Sequence, residues 1–152
     1  MKVRMFTDGA CSGNPGAGGW AACVLLKNCN KTVSGGEEMT TNNRMELKAV
    51  IEGLKKALED VNFSKIEICS DSAYVVNSYI KGWIEVWSKN GWVTKDGNDV
   101  KNKDLWLELN ALVKQARQCG VCVQFVKVKG HAGNHFNELV DKLAREEVER
   151  IK

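Results

Sequence analysis

The sequence predicts an α/β fold, with one mixed β-sheet covered by helices in a single domain spanning 1–152. Three observations carry this reading. Hydrophobic residues alternate in some segments and recur at helical spacing in others. The early strand segments follow one another through short turns, which makes them antiparallel hairpins. The later ones are joined through helices, which makes them parallel crossovers.

Residues 3–8 alternate polar and apolar side chains and form a first strand ending on Asp8. A glycine-rich turn, Gly9 to Gly19, leads to the apolar run Trp20 to Leu26, the second strand. A third spans Lys31 to Met39, weakened by Gly35 and Gly36. Leu47, Val50, Ile51, Leu54 and Leu58 then recur on one helical face, after the polar Thr40-Thr-Asn-Asn43. Ile66 and Ile68 mark a short strand that stops at Ser70-Asp71, with a helix starting near Ser72. The stretch from Lys81 to Asp104 reads as irregular. A helix from Leu105 to Gln118 closes at Gly120, a strand covers 121–128, and Gly130-His-Ala-Gly133 precedes a last helix carrying Val140, Leu143, Ala144, Val148 and Ile151.

At 152 residues, with 43% hydrophobic and 27% charged residues, the chain can bury a core and is not disordered. No apolar run approaches the ~20 residues of a membrane span. The first residues form a strand where a signal peptide needs a longer apolar stretch, so a cytoplasmic protein without a membrane anchor is expected. A net charge of +3 permits nucleic-acid binding without demanding it.

The six cysteines, Cys11, Cys23, Cys29, Cys69, Cys119 and Cys122, read as reduced and structural. Cys119-Gly-Val-Cys122 followed by His131 and His135 imitates a zinc-finger pattern. An extended strand between the pairs would hold them on the order of 25 Å apart, which no single zinc ion spans.

Four acids occupy positions suited to chemistry. Asp8 and Asp71 end strands, where the crevice of an α/β sheet opens. Glu46 and Asp141 flank the buried stripes of their helices. Each also has a purely structural role open to it: a turn for Asp8-Gly9, a capping box for Asn43 and Glu46, a helix cap for Asp71, and an i, i+4 pair with Arg145 for Asp141. If the four converge, their mutual repulsion calls for cations, and hard oxygen ligands suit Mg²⁺ or Mn²⁺. Two such ions can activate water and stabilise a leaving oxygen in phosphodiester cleavage.

Five segments carry a more specific signal: Phe6-Thr-Asp-Gly-Ala-Cys-Ser-Gly-Asn-Pro-Gly16, Thr41-Asn-Asn-Arg-Met-Glu46, Ser70-Asp-Ser-Ala-Tyr74, Lys129-Gly-His-Ala-Gly133 and Asn137-Glu-Leu-Val-Asp-Lys-Leu-Ala144. In order and spacing they closely resemble ribonuclease H of the bacterial type 1 class, and the resemblance covers essentially the whole chain. It implies a five-stranded mixed sheet in the order 3-2-1-4-5 and a monomeric endonuclease that cuts the RNA strand of RNA–DNA hybrids. The implied products carry 5′-phosphate and 3′-hydroxyl ends. It further implies two Mg²⁺ ions held by Asp8, Glu46, Asp71 and Asp141, with His131 assisting proton transfer or product departure. Cys11, Asn14, Asn42 and Glu46 align with groups that meet the RNA strand around its 2′-hydroxyls. Thr41, Asn43 and Asn102 align near the DNA strand, Thr41 and Asn102 at a phosphate pocket. Tyr74, Trp83 and Trp87 resemble the aromatic channel for the deoxyribose strand.

Two departures from the family pattern bear on affinity. The protrusion at Lys81 to Asp104 holds Lys81, Lys89, Lys95, Lys101 and Lys103 against Glu85, Asp96, Asp99 and Asp104, with Ser88-Lys-Asn90 in place of a denser basic cluster. Met39 stands where some relatives place a phosphate-binding arginine.

The rivals are a related two-metal nuclease of the same fold, a hybrid-binding module without catalysis, and a dinucleotide enzyme suggested by Gly16-x-Gly18-x-x-Ala21. The first usually needs further DNA-binding segments, the second is opposed by the intact acid set, and the third requires a helix where a strand follows.

Overall fold

Five strands form one sheet in the computed structural model, which describes residues 1–27, 29–129 and 134–152. They are β1 (Lys2–Ser12), β2 (Gly16–Leu25), β3 (Asn30–Thr40), β4 (Lys65–Ser70) and β5 (Cys122–Lys127), in the order β3-β2-β1-β4-β5. The two early hairpins are antiparallel, and β4 runs parallel to both β1 and β5. The helices are α1 (Asn42–Ala57), α2 (Ala73–Ile80), α3 (Trp83–Asn90), α4 (Lys103–Gln118) and α5 (His135–Ile151). The expected mixed sheet and its strand order are both present.

The alternation of β1 divides the core between the two faces of the sheet. Val3 and Met5 join Leu47, Ile51 and Leu54 of α1 and Trp106 and Leu109 of α4 in the larger cluster. Phe6 belongs to a smaller one with Ala21, Cys23 and Cys69, closed by Val140 and Ala144 of α5. β1, the central strand, is thus covered by α1 on one side and α5 on the other. Among the described residues no helix is long and apolar enough to cross a membrane.

Two elements depart from the sequence reading. The first strand does not end on Asp8 but continues to Ser12, and β2 starts at Gly16, so most of the glycine-rich segment is strand rather than turn. Its glycines serve close packing. A Cβ on Gly19 would strike the Ala144 carbonyl oxygen and the Glu147 side chain, so the missing side chain lets α5 lie directly on the sheet. The second departure is α3, inside the segment read as irregular. It is only eight residues long, buries Ile84 alone among its side chains, and is bounded by Gly82 and Gly91 in the left-handed conformation. So little buried surface leaves hardly any periodic signal in the sequence.

β2 being a strand removes the dinucleotide reading, because the glycines of that fingerprint must open a helix. β5 starts on Cys122 and runs extended to Lys127, as the rejection of a zinc finger requires of the segment after the two cysteines.

Candidate active site

Asp8 lies within the central strand, where α1 presses against it. A Cβ on Gly9 would come within 2.5 Å of the Glu46 amide nitrogen and 2.6 Å of the Met45 carbonyl carbon. Glycine at this position therefore brings the backbone of α1 next to Asp8 and delivers Glu46 to it. Gly9→Ala is expected to cost about 2 kcal/mol or more of stability, as overpacked sites do, because backbone rather than a flexible side chain must yield. Thermal unfolding checks this, with unchanged stability as the contrary result.

The helix is started by Thr41, whose hydroxyl accepts from the Arg44 amide at 3.3 Å. Asn43 lies inside the helix, so the capping-box alternative for Glu46 does not apply. Asp71 follows β4 directly. The cap of α2 is Ser72, which accepts from the Val75 amide at 3.2 Å, so Asp71 is not needed for capping either. Both acids are left to each other. One carboxylate oxygen from each of Asp8, Glu46 and Asp71 lies within 4.8 Å of the other two.

Asp141 stands at the edge of this trio. It lies close enough to Asp8 to raise the pKa of that carboxyl. Its Oδ2 also accepts from Arg145 Nε at 3.0 Å, with Nη2 at 2.9 Å, so the i, i+4 pair considered from sequence does form. Proximity to Asp8 and pairing with Arg145 coexist. His131 lies outside the described residues.

The electrostatics follow from burial and crowding. Asp8 is pushed from the usual carboxylate range to about 8, first by burial, then by the Asp71 charge and by the hydrogen bond and charge of Asp141; the Gly9 amide offsets part of this. Glu46 is raised well above its ordinary value, again by burial first and then by Asp8 and Asp71. Glu46 Oε1 and Asp71 Oδ1 are buried without a hydrogen-bond partner. Such atoms are rare in folded proteins and carry a desolvation cost that a ligand would remove. Among the described residues no lysine or arginine pairs with Asp8, Glu46 or Asp71, and Arg145 alone pairs with Asp141. An all-oxygen donor set with unsatisfied buried lone pairs fits a hard divalent cation.

The comparisons with known proteins decide the family. The RNase H family profile matches residues 1–149. A ribonuclease H of Thermoanaerobacter sp. (strain X514) is 52% identical over 148 residues, covering 97% of this chain and 90% of that one.

The chain belongs to the ribonuclease H family.

It is accordingly a nuclease. Among solved structures, LC9-RNase H1, described as a type 1 RNase H with the type 2 active-site motif, superposes with a TM-score of 0.81 at 29% identity, over 99% of this chain and 74% of that one. LC11-RNase H1, solved in complex with an RNA/DNA hybrid, shares the fold, with a TM-score of 0.69 at 21% identity over 97% of both chains.

The residues that the ribonuclease H resemblance assigns to recognition fall into two groups. Cys11 lies at the end of β1, its thiol against the carbonyl oxygens of Thr40 (3.4 Å) and Gly16 (3.6 Å). Asn14 Oδ1 accepts from the Asn42 amide at 2.8 Å. These contacts lock the β1–β2 turn to the start of α1, beside Glu46. The second group centres on Tyr74. Its hydroxyl accepts from Asn102 Nδ2 at 3.0 Å and from Trp106 Nε1 at 3.1 Å, and donates to the Lys101 carbonyl at 3.3 Å. Asn102, at a left-handed φ of 62°, in turn accepts from Arg44 Nη1 at 3.2 Å. Arg44 is the residue that sequence reading missed. It forms a bidentate pair with Asp104 at 2.8 and 3.0 Å and so joins the start of α1 to the start of α4. Its place in the Thr41–Glu46 segment was the available signal.

Trp83 and Trp87 differ. Trp83 is exposed, with Lys81 Nζ 5.9 Å from its ring centre. Trp87 packs against Trp92 and Trp106, with centroids 6.2 and 5.8 Å away, and so belongs largely to the core. Asn43 is half-buried on the first turn of α1.

Proposed function

We propose that this chain, as one catalytic domain over 1–152, is a cytoplasmic, monomeric endonuclease that hydrolyses the RNA strand of RNA–DNA hybrids and leaves 5′-phosphate and 3′-hydroxyl ends. The observation that carries the reading is the trio Asp8, Glu46 and Asp71, with Asp141 at its edge, in a chain of the ribonuclease H family. The hybrid found on LC11-RNase H1 supports the substrate class.

Asp8, Glu46, Asp71 and Asp141 would hold the metal. Two Mg²⁺ ions, or Mn²⁺ in their place, would supply Lewis acidity to the scissile phosphate and lower the pKa of water. The chain's own residues do the rest. The buried carboxylates stay fixed because α1 is pinned by Gly9 and Thr41. His131 assists proton transfer or product departure, a part that imidazole chemistry suits. Cys11, Asn14, Asn42 and Glu46 face the RNA strand, where the 2′-hydroxyl separates RNA from DNA. Thr41, Asn43, Asn102, Tyr74, Trp83 and Trp87 face the DNA strand, with Trp83 offering the accessible ring and Trp87 backing it.

Incubating the protein with Mg²⁺ and labelled RNA–DNA, RNA–RNA and DNA–DNA duplexes tests this directly. Cleavage confined to the RNA strand of the hybrid is expected. A protein that binds hybrid and cuts none of the three would be a recognition module.

Hybrid binding should be weakly salt-dependent. Of the protrusion's lysines, Lys103 is already engaged by Asp99 at 3.4 Å. Exposed Met39 adds no charge. A log–log slope of roughly −0.9 per neutralised phosphate holds for duplex DNA, so few contacts give a shallow slope. Ser88→Arg, at an exposed site on α3, is expected to steepen it by about one such unit. Asn90 is unsuited to the same change, because its side chain holds the turn through Trp92, Val93 and their backbone groups. Titrations in Ca²⁺ at several salt concentrations measure the slope; a steep wild-type value would place the grip elsewhere.

A further inference from the structure

The four acids divide unequally. Among the described residues, Asp8, Glu46 and Asp71 have no cationic partner, and two of their buried oxygens have no hydrogen-bond partner. Asp141 has one already. Its Oδ2 lies 2.9 Å from Arg145 Nη2 and 3.0 Å from Nε, while the same carboxyl reaches Asp8. The two partners differ in exposure: the Asp141 side chain is 21% accessible and Arg145 66%. The guanidinium can therefore leave for water at little cost, whereas the carboxylate stays at the cluster. Arg145 also borders two adjoining surface grooves, one walled by Glu138, Asp141 and Lys142 and the other by Ala10, Cys11 and Ser12, so it has open space to move into.

We infer that Arg145 is an exchangeable counterion for Asp141: it occupies that carboxylate in the metal-free protein and competes with the divalent cation for it. This rests on the metal-cage reading above. Arg145 is a positioning residue, acting through Asp141. It neutralises the carboxylate that adjoins Asp8, and in doing so weakens cation loading relative to what the acids alone would give. An ordinary surface pair would have no such effect. Its loss would change stability slightly and leave cation affinity alone.

Calorimetric titration of hybrid-free protein with Mn²⁺ separates the two. Arg145→Met keeps the aliphatic stem and removes the charge. It is expected to bind the ion about two- to five-fold more tightly, the range set by exposed ion pairs. Arg145→Lys, which keeps the charge without the two-nitrogen grip, is expected to lie between it and the wild type. Arg150→Met is the control. It makes the same change in net charge on the same helix but removes a pair with Glu147, away from the acids, so it should match the wild type. If Arg145→Met binds Mn²⁺ no more tightly than Arg150→Met, the inference is overturned while the metal cage stands. If the wild type and every variant fail to bind Mn²⁺, the metal-cage reading itself falls and takes the inference with it.

Discussion

Asp71→Asn is expected to lower kcat on an RNA–DNA hybrid by ~10³-fold or more, about 4 kcal/mol of barrier, while hybrid affinity in Ca²⁺ changes little. The expectation comes from where Asp71 sits. It is the first residue after β4, it has no capping duty because Ser72 performs it, and its buried Oδ1 has no partner. A side chain with no structural employment, held against two other carboxylates, is placed for a ligand. The amide keeps the shape and removes the charge, so the fold should survive. It should even gain, since one of three mutually repelling acids is gone. The measurement needs three readings on the same sample: single-turnover cleavage in Mg²⁺, hybrid binding in Ca²⁺, and thermal unfolding in EDTA. Cleavage near the wild-type rate by well-folded Asp71→Asn would remove Asp71 from the cage. Loss of cleavage together with loss of binding and of stability would make it a structural residue instead.

Much of this arrangement is legible in the sequence, and the exceptions have physical causes. The core stripe of α1 and the alternation in β1, β4 and β5 depend on local periodicity, which a sequence displays openly. The sheet order did not come from periodicity; it came from the family resemblance. The extent of β1 was misread because glycine normally signals a turn, whereas Gly9 and Gly19 are strand residues selected by the helices lying on them. That contact joins residues far apart in the chain and leaves no local mark. α3 was missed because a two-turn helix with one buried residue has almost no periodicity to display. The acids could be nominated one by one, each against a structural alternative. Only the fold removed the alternatives for Asp8, Glu46 and Asp71, by showing a strand, a Thr41 cap and a Ser72 cap. For Asp141 it retained the alternative, since the Arg145 pair exists alongside the approach to Asp8. Arg44 escaped notice because its partners, Asn102 and Asp104, are some sixty positions away.

Stability without metal should fall as pH rises through the neutral range, and divalent cations should reverse the fall. In the folded chain Asp8 holds its proton up to about 8, against an ordinary value of 3.8 for the free group. Below the lower value both states are protonated and the group's contribution is fully present. Between the two values the folded state binds a proton that the unfolded state has lost, so each rise in pH favours unfolding. Above about 8 the contribution is gone. Glu67 and Asp104, held low by Arg4 and Arg44, act in the opposite sense, but they are ionised in both states by pH 5.5 and do not alter the slope above it. One fully linked proton is worth about 1.4 kcal/mol per pH unit. A loss of about 2 kcal/mol between pH 5.5 and 8 is therefore a moderate expectation, or roughly 4–8 °C in Tm for a chain of this size. Mg²⁺ should raise Tm at pH 8 and do little at pH 5.5, where protons already neutralise the cluster. Asp8→Asn should flatten the pH dependence and be the more stable protein at pH 8 in EDTA. Thermal scans of both proteins across this range, with EDTA and with Mg²⁺, measure all of it. A metal-free wild type whose Tm is constant or rises from pH 5.5 to 8, or an Asp8→Asn variant with the same slope, would show that the three carboxylates are not held together at a cost to the fold.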